Sequence, residues 1–141
     1  MINCINKMDS IILLYSGGFD SSLLAYIISN ILKKKILCIF IDNNMISSKN
    51  KISAKSFLKR YKINYKIISY NLLTVPLIKS NNKNRCFHCK YKMLQLIYLL
   101  KIKNKYEYIL DGTNYSDISS IVPRPGIEAQ NIFKKKYNNI F

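Results

Sequence analysis

The sequence lacks any hydrophobic segment long enough to cross a bilayer, and residues 1–7 lack the apolar core of a signal peptide. We therefore expect a soluble cytoplasmic protein that makes no membrane contact. In that compartment the four cysteines are not expected to form a disulfide framework. At 141 residues the chain is long enough for one domain with a real core, and it shows no internal repeat and no convincing linker.

Acidic residues are also scarce, since seven Asp and Glu stand against 23 Lys and Arg, which gives a net charge of +16. Clustered lysines neutralise phosphates, so this charge is compatible with nucleic-acid binding. However, Lys, Asn and Ile make up 60 of the 141 residues, and the codons of all three consist mostly of A and T. Because the lysines are scattered along the chain, we attribute the positive charge to a gene rich in A and T. An RNA-binding surface is the alternative explanation.

Two common phosphate-binding motifs are missing. No lysine occurs between Met8 and Lys33, which excludes a Walker-type loop, and a dinucleotide fingerprint would need a third glycine. Residues 16–22 instead read S-G-G-F-D-S-S, between an apolar segment and a helical pattern. Glycine admits backbone angles that other residues resist, and the free N–H groups and dipole of a helix start attract an anion. The run therefore predicts a phosphate site, and the alternative is an ordinary turn with a Ser or Asp cap.

Residue patterns typical of strands alternate along the chain with patterns typical of helices. Strands are predicted at 11–15, 36–41, 65–69 and 108–110, and helices at about 21–32, from 47 or 48, at 87–103 and from about 127. This order predicts an α/β fold, a Rossmann-like parallel sheet with helices on both faces. Polar clusters at 16–22, 42–44 and 111–117 each follow a strand, so they are expected to meet at the carboxyl edge of the sheet as one nucleotide site.

Three details of these elements are further predictions. The first helix is expected to bury Leu24, Ile27, Ile28 and Ile31 on one face. The segment between the third strand and the third helix is predicted to be a long loop, compatible with a mobile lid. The N-terminus, with Cys4, is expected to be frayed.

Cys86 and Cys89 form a C-x-x-C pair at the start of a predicted helix, directly after Arg85. The helix terminus and the guanidinium predict a lowered thiol pKa. Three interpretations stay open: two ligands of zinc or an iron–sulfur cluster, with His88 as a third ligand; a redox-active pair; or a structural pair. Cys38, in an apolar strand, is predicted to be a buried hydrophobic residue.

The S-G-G-x-D-S pattern resembles the PP-loop of the ATP pyrophosphatase superfamily, whose members split ATP between the α and β phosphates and adenylate a substrate. Three runs in order narrow the resemblance: residues 16–22, then R-C-F-H-C-K at 85–90, then D-G-T-N at 111–114 with Asp117 and R-P-G at 124–126 behind it. Together, over about 11–129, they resemble the LarE-type ATP-dependent sacrificial sulfur transferases. Members of that family adenylate a carboxylate on a pyridinium mononucleotide and convert it to a thiocarboxylate, with sulfur from a protein cysteine or a cluster-bound sulfide.

The resemblance implies ATP and Mg²⁺ as cofactors and a small-molecule carboxylate as substrate. The expected nucleotide- and substrate-binding residues are Ser16, Gly17, Gly18, Asp20, Ser21, Ser22, Asp42, Asp111, Gly112, Thr113, Asn114 and Asp117. Asp42 is included because it directly follows a predicted strand. Asp20, Ser21 and Arg124 are the expected catalytic residues, with Asp20 placing Mg²⁺ and Arg124 gripping a phosphate or carboxylate through two parallel hydrogen bonds. Cys86 and Cys89 match the paired cysteines of cluster-binding members.

The chain also departs from that family. The family continues into a region with a further cysteine, but no cysteine follows Cys89, and the run 118–123 lacks the expected second acidic residue and aromatic. We expect a single PP-loop ATP-binding domain over 1–141 that lacks the family's C-terminal region and acts alone, with a second polypeptide or as a homo-oligomer. The alternatives are another PP-loop enzyme, for tRNA thiolation or for amide formation as in NAD and GMP synthases, and a non-catalytic nucleotide-binding remnant.

Overall fold

A computed structural model describes residues 2–43, 45–114, 124–137 and 140 of the chain. In the described residues four parallel strands form one sheet, in the order β3-β2-β1-β4. The strands are β1 (Ser10–Leu14), β2 (Lys35–Asp42), β3 (Tyr65–Ser69) and β4 (Tyr108–Asp111). The predicted α/β fold with a parallel sheet is confirmed, and each strand lies within one residue of its predicted bounds.

Helices connect and cover the strands. They are α1 (Ile2–Asn6), α2 (Phe19–Tyr26), α3 (Ser48–Arg60), α4 (Pro76–Lys79), α5 (Arg85–Lys103) and α6 (Pro125–Lys136), with a π-helical turn at Ile27–Ile31 and a 3₁₀ turn at Leu72–Thr74. Ser47 caps α3, since its side chain accepts a hydrogen bond from Asn50 N. Within the described residues, no helix is both long and apolar enough to cross a membrane.

Two apolar layers lie on opposite faces of the sheet, and β1 contributes to both. Ile11 and Leu13 pack with residues of α1, α2 and α3, whereas Ile12 and Leu14 pack with residues of α5 and α6. Successive side chains of a strand point to opposite faces, so a central strand covered on both sides is apolar throughout. This arrangement confirms helices on both faces and fixes β1, and the turn that follows it, in the middle of the molecule.

The register places the ends of the central strands side by side. Leu14 pairs with Ile39 of β2 and with Asp111 of β4. Beyond β1, the Tyr15 N–H continues the ladder by donating to Ile39 O at 2.9 Å. The turn after β1 therefore begins level with the end of β4, which brings two distant polar motifs to one edge.

Three predicted details need correction. In the predicted buried face of the first helix, Ile28 is buried but Ile31 is 60% exposed, and Ser21 and Ala25 are buried as well, because π spacing shifts the face away from the α-helical pattern. The N-terminus is not frayed but forms α1, anchored by buried Ile5. The predicted loop before α5 contains the 3₁₀ turn and α4, which bury Leu72 and Ile78; such short elements leave no periodic signal.

Candidate functional site

The turn between β1 and α2 depends on one glycine for its backbone and on the next for open space. Gly17 has a φ of 81°, and a Cβ there would lie 2.7 Å from Ala54 Cβ of α3. Gly18, the N-cap of α2, has ordinary extended angles, and a Cβ there would meet only Ser16 Oγ at 3.4 Å. Unusual backbone angles, the reason given above for glycine in this turn, therefore apply to Gly17, whereas Gly18 leaves open space beside the helix start.

Serine hydroxyls brace this turn from within. Ser16 Oγ lies 2.9 Å from Ser21 Oγ and accepts a hydrogen bond from Gly18 N at 3.2 Å. Ser21 Oγ also lies 3.1 Å from Gly18 O, to which it donates, and Ser21 is buried. Ser22 Oγ instead lies 2.9 Å from the Tyr15 hydroxyl. These contacts hold the turn in shape before any ligand is bound.

The first turn of α2 presents backbone donors at the same place. Its first intrahelical hydrogen bond runs from Ser22 N to Gly18 O at 3.0 Å. The N–H groups of Phe19, Asp20 and Ser21 precede that bond, and groups in this position have no intrahelical acceptor. Together with the helix dipole they favour an anion in the turn.

A cavity of about 440 Å³ opens where the turn, the end of β2 and the end of β4 meet. Seven of the predicted site residues line it: Ser16, Gly18, Asp20, Ser21, Asp111, Gly112 and Thr113. The cavity is at the carboxyl edge of the sheet, where folds of this class bind ligands. The structure thus brings the first and third sequence motifs to one cavity.

Other predicted residues lie around this cavity rather than on its wall. Gly17 faces Ala54 of α3, and Ser22 is hydrogen-bonded to Tyr15. Asn114 borders a neighbouring apolar cavity, and its Nδ2 donates to Asp20 Oδ2 at 3.2 Å. Asp42 is paired with Lys51, and the next residue, Asn43, lines the cavity in its place. Asp117 and Asn44 lie outside the described residues.

A polar network at the end of β4 forms the floor of the site. Asp111 Oδ2 accepts from Lys90 Nζ at 2.5 Å, while Asp111 Oδ1 accepts from Thr113 N at 3.0 Å and Gln130 Nε2 at 3.2 Å. Thr113 Oγ1 in turn donates to Gln130 Oε1 at 3.1 Å. Burial alone would raise the pKa of Asp111, but the Lys90 ammonium and the hydrogen bonds from Lys90 and Thr113 outweigh it and lower that pKa.

Lys90 and Gln130 were assigned no role from the sequence. Lys90 precedes Leu94 and Ile97 at helical spacing, so it continues the buried stripe of α5. Gln130 lies between Ala129 and Phe133 in the buried residues of α6. A charged or amide side chain on an apolar stripe is the sequence signal that would have found both residues.

Gly112 brings the loop after β4 into contact with the turn after β1. A Cβ at this position would lie 2.9 Å from Ser21 N and 3.1 Å from Ser21 Cα, which are backbone atoms of the first turn of α2. The loop after β4 therefore packs directly against the helix start, and only glycine leaves that space.

The C-x-x-C pair is at the start of α5, as predicted, but its chemistry differs. Cys86 is exposed and Cys89 is half-buried. Burial, and then the neighbouring Cys86, raise the pKa of Cys89 more than Arg85 and Lys90 lower it; the predicted lowering is wrong for this thiol. Burial raises the pKa of Cys38 to about 12, in keeping with its predicted place in the core.

The described residues do not complete a metal site around that pair. Across those parts of the chain, no group of three or more His, Cys, Asp or Glu side chains is placed to hold a metal ion, and this holds for Cys86, His88 and Cys89 as well. Zinc and iron–sulfur clusters take three or four protein ligands. Two thiols alone do not fit either group.

Arg124 is the exposed N-cap residue of α6. It lines a separate, smaller cavity of about 210 Å³, together with Lys90, Thr113 and residues of α6. Arg124 does not line the cavity of about 440 Å³ at the turn after β1, which we call the larger cavity because it is larger than this one. The neighbouring apolar cavity has a similar volume, about 450 Å³.

Known proteins are similar to this chain in sequence or in fold. An uncharacterized protein of Methanocaldococcus jannaschii is 36% identical over 127 residues, which are 90% of this chain and 47% of that relative, so the chain spans about half of its length. The fold is similar to an NH3-dependent NAD synthetase from Campylobacter jejuni solved with nitrate, with a TM-score of 0.65 and 16% identity over 94% of this chain and 69% of that one. It is also similar to a U34-tRNA thiolase from Methanococcus maripaludis with its 4Fe-4S cluster, with a TM-score of 0.60 and 21% identity over 79% and 41% of the two chains.

The sequence also matches a family model described as NAD synthase over residues 4–117. That range contains the turn after β1, the C-x-x-C pair and the loop after β4, so it contains all the residues that line the larger cavity. The chain therefore belongs to the NAD synthase family, within the PP-loop ATP pyrophosphatases.

Proposed function

We propose that this chain binds ATP with Mg²⁺ in the larger cavity and activates a carboxylate by adenylation, as the first step of a LarE-like sulfur transfer. The observation that carries the proposal is the meeting of two motifs in one cavity. The N-terminal turn of α2, with Ser16 and Asp20, faces the loop that holds Asp111 and Thr113. Backbone donors suited to phosphates thus lie across the cavity from Lys90, an ammonium that Asp111 holds in place.

The adenylation step needs little from the protein except placement and charge. A carboxylate oxygen attacks the α-phosphorus of ATP, the bond from that phosphorus to the bridging oxygen of the β-phosphate breaks, and pyrophosphate leaves with the electron pair. Negative charge grows on the leaving group, so the N–H groups of the first turn of α2 stabilise the transition state more than the substrate. No proton has to move.

Asp20 and Lys90 supply the charges around that step. Mg²⁺ bound to the phosphates neutralises them, and it is usually held by one or two carboxylates, a role that suits exposed Asp20 at the cavity wall. Lys90 faces the same cavity, and ionised Asp111 holds its ammonium in place. Lys90 is therefore proposed to contact a phosphate oxygen of ATP.

A second candidate is amide formation, in which ammonia attacks the same adenylate. The match to the NAD synthase family over residues 4–117 favours it. The C-x-x-C pair, one residue from Lys90 along α5, favours sulfur transfer instead. A second polypeptide or a second copy of the chain belongs to either proposal as the source of further site residues.

The test separates ATP use from the identity of the nucleophile. The purified chain is incubated with Mg²⁺ and ATP labelled in the γ-phosphate, with and without nicotinate mononucleotide as the carboxylate probe. We expect labelled pyrophosphate that depends on the carboxylate. Release of labelled orthophosphate, or no binding of ATP at all, would overturn the proposal.

The products then identify the nucleophile. Mass spectrometry after adding sulfide or ammonium distinguishes a thiocarboxylate from an amide. Pyrophosphate release that requires tRNA, and not the small carboxylate, would overturn both candidates in favour of tRNA thiolation.

A further inference from the structure

The smaller cavity shares a wall with the larger one. Lys90 and Thr113 line both cavities, and the smaller one is closed by Arg124 and by residues 126, 127 and 130 of α6. Among its described lining residues there are two cations and no Asp or Glu. We call this smaller cavity the Arg124 cleft.

Lys90 stands at the boundary of the two cavities because α6 begins directly over it. A Cβ on Gly126 would lie 3.8 Å from Lys90 Cβ, an ordinary van der Waals contact. On its other side, the Lys90 ammonium is anchored to Asp111, whose side chain is 4% exposed, whereas that of Lys90 is 21% exposed. One anchored cation therefore faces the space for ATP and the Arg124 cleft at the same time.

The size and chemistry of the cleft restrict what it can hold. Its volume of about 210 Å³ is roughly half that of the larger cavity, too little for a second nucleotide but enough for a charged group and a short adjoining part. A guanidinium binds carboxylate or phosphate through two parallel hydrogen bonds, and an ammonium adds a third donor.

We propose that the Arg124 cleft binds the anionic group, a carboxylate or a phosphate monoester, of the acceptor substrate. Lys90 then contacts the acceptor and ATP together and holds the acceptor beside the α-phosphate. This assignment rests on the proposed function, because it places the acceptor relative to ATP. It makes Arg124 a residue for acceptor binding rather than for ATP binding.

The three arginines of the chain, Arg60, Arg85 and Arg124, allow a direct test. The Nε–Hε signals of the ¹⁵N-labelled protein are followed during titrations with inorganic phosphate, with benzoate, and with the Mg²⁺ complex of α,β-methylene-ATP. We expect phosphate or benzoate to shift the Arg124 signal while that of Arg60 stays in place, and to do so with the ATP analogue already bound. The probe that binds more tightly identifies the anionic group as a phosphate or a carboxylate.

Two variants complete the experiment. Arg124→Lys keeps the charge but loses the paired geometry, so the probe should bind about tenfold more weakly, while affinity for the ATP analogue stays within twofold. Arg60→Lys, on the exposed surface of α3, is the matched control and should change neither affinity.

Three results would overturn the proposal. Equal shifts of Arg60 and Arg124 would mean non-specific attraction to a basic surface. Displacement of the probe by the ATP analogue would mean a single phosphate site, and an Arg124 signal that responds to neither probe would mean no anion site in the cleft. If the analogue binds in that last case, only this inference fails, whereas failure of the analogue to bind removes the proposed function as well.

Discussion

The backbone of Gly112 lies against the first turn of α2, so that a Cβ on Gly112 would come within 2.9 Å of Ser21 N. This contact joins the loop after β4 to the turn after β1, although the two residues are far apart in sequence. The distance between the turn at residues 16–22 and the loop at residues 111–114 is therefore set by a contact between backbone atoms. Side-chain adjustment cannot relieve an added atom there.

Substituting Gly112 by Ala tests this contact. Because the clash is with backbone atoms, we expect the free energy of unfolding to fall by about 1–3 kcal/mol and affinity for an ATP analogue to fall with it. Urea denaturation and calorimetric titration measure the two effects. Gly126→Ala is the control for stability, since its Cβ would meet only atoms at 3.8 Å or more. A Gly112→Ala protein as stable as the wild type would contradict the contact.

The two glycines of the turn should respond differently to alanine. Gly17→Ala places a side chain at a φ of 81° and 2.7 Å from Ala54 Cβ, so we expect a loss of about 2 kcal/mol in the free energy of unfolding. Gly18→Ala should change stability by no more than about 0.5 kcal/mol. Thermal denaturation measures both. Equal losses in the two variants would refute the distinction.

A bulkier side chain at Gly18 should act on ligand binding. Gly18 lines the larger cavity at the helix start, so Gly18→Val is expected to keep the fold and to abolish binding of an ATP analogue. Circular dichroism and calorimetric titration of the same sample measure the two properties. Undiminished ATP affinity would mean that the nucleotide binds elsewhere.

The carboxylate of Asp20 should matter only when Mg²⁺ is present. Asp20→Ala is expected to weaken binding of the Mg²⁺ complex of an ATP analogue at least about tenfold, because one charge-assisted contact is lost. Binding in the presence of a chelator should change little. Asp9→Ala removes another exposed carboxylate and is the control. A loss of affinity that is the same with and without Mg²⁺ would show that Asp20 does not act through the metal.

The Lys90–Asp111 pair predicts a pH-dependent loss of stability. The folded-state pKa of Asp111 is lowered below the ordinary value of 3.8, so the pair stabilises the fold fully above that value. As pH falls from there through the folded-state pKa, the unfolded state takes up the proton first and the stabilisation is lost. Asp111→Asn should therefore be less stable than wild type at pH 7, by about 2 kcal/mol since Lys90 is partly exposed.

The same pair of proteins supplies the check. The difference in free energy of unfolding between wild type and Asp111→Asn, measured in urea from pH 7 to pH 3, should shrink only in the acid range. A difference that stays constant over this range would show that the charge of Asp111 contributes nothing.

Sequence patterns predicted those parts of the fold that depend on neighbouring residues. Strand β3 was predicted at its observed bounds, and the start of α3 within one residue, because period and capping are properties of neighbouring residues. Lys90 and Gln130 could be found as polar side chains on the apolar stripes of α5 and α6, but their role could not, because it depends on Asp111, at sequence separations of 21 and 19 residues. No local pattern records such a partner.

By itself the sequence determined the alternation of strands and helices, the parallel sheet and the glycine-containing turn at residues 16–22, since hydrophobic period and glycine placement act over a few residues. Only the tertiary structure decided that Asn43 rather than Asp42 lines the cavity and that Lys90 separates two cavities. It also decided that the thiol of Cys89 has a raised pKa. Burial and the distance between charges depend on how the elements pack, and packing joins residues that the chain keeps apart.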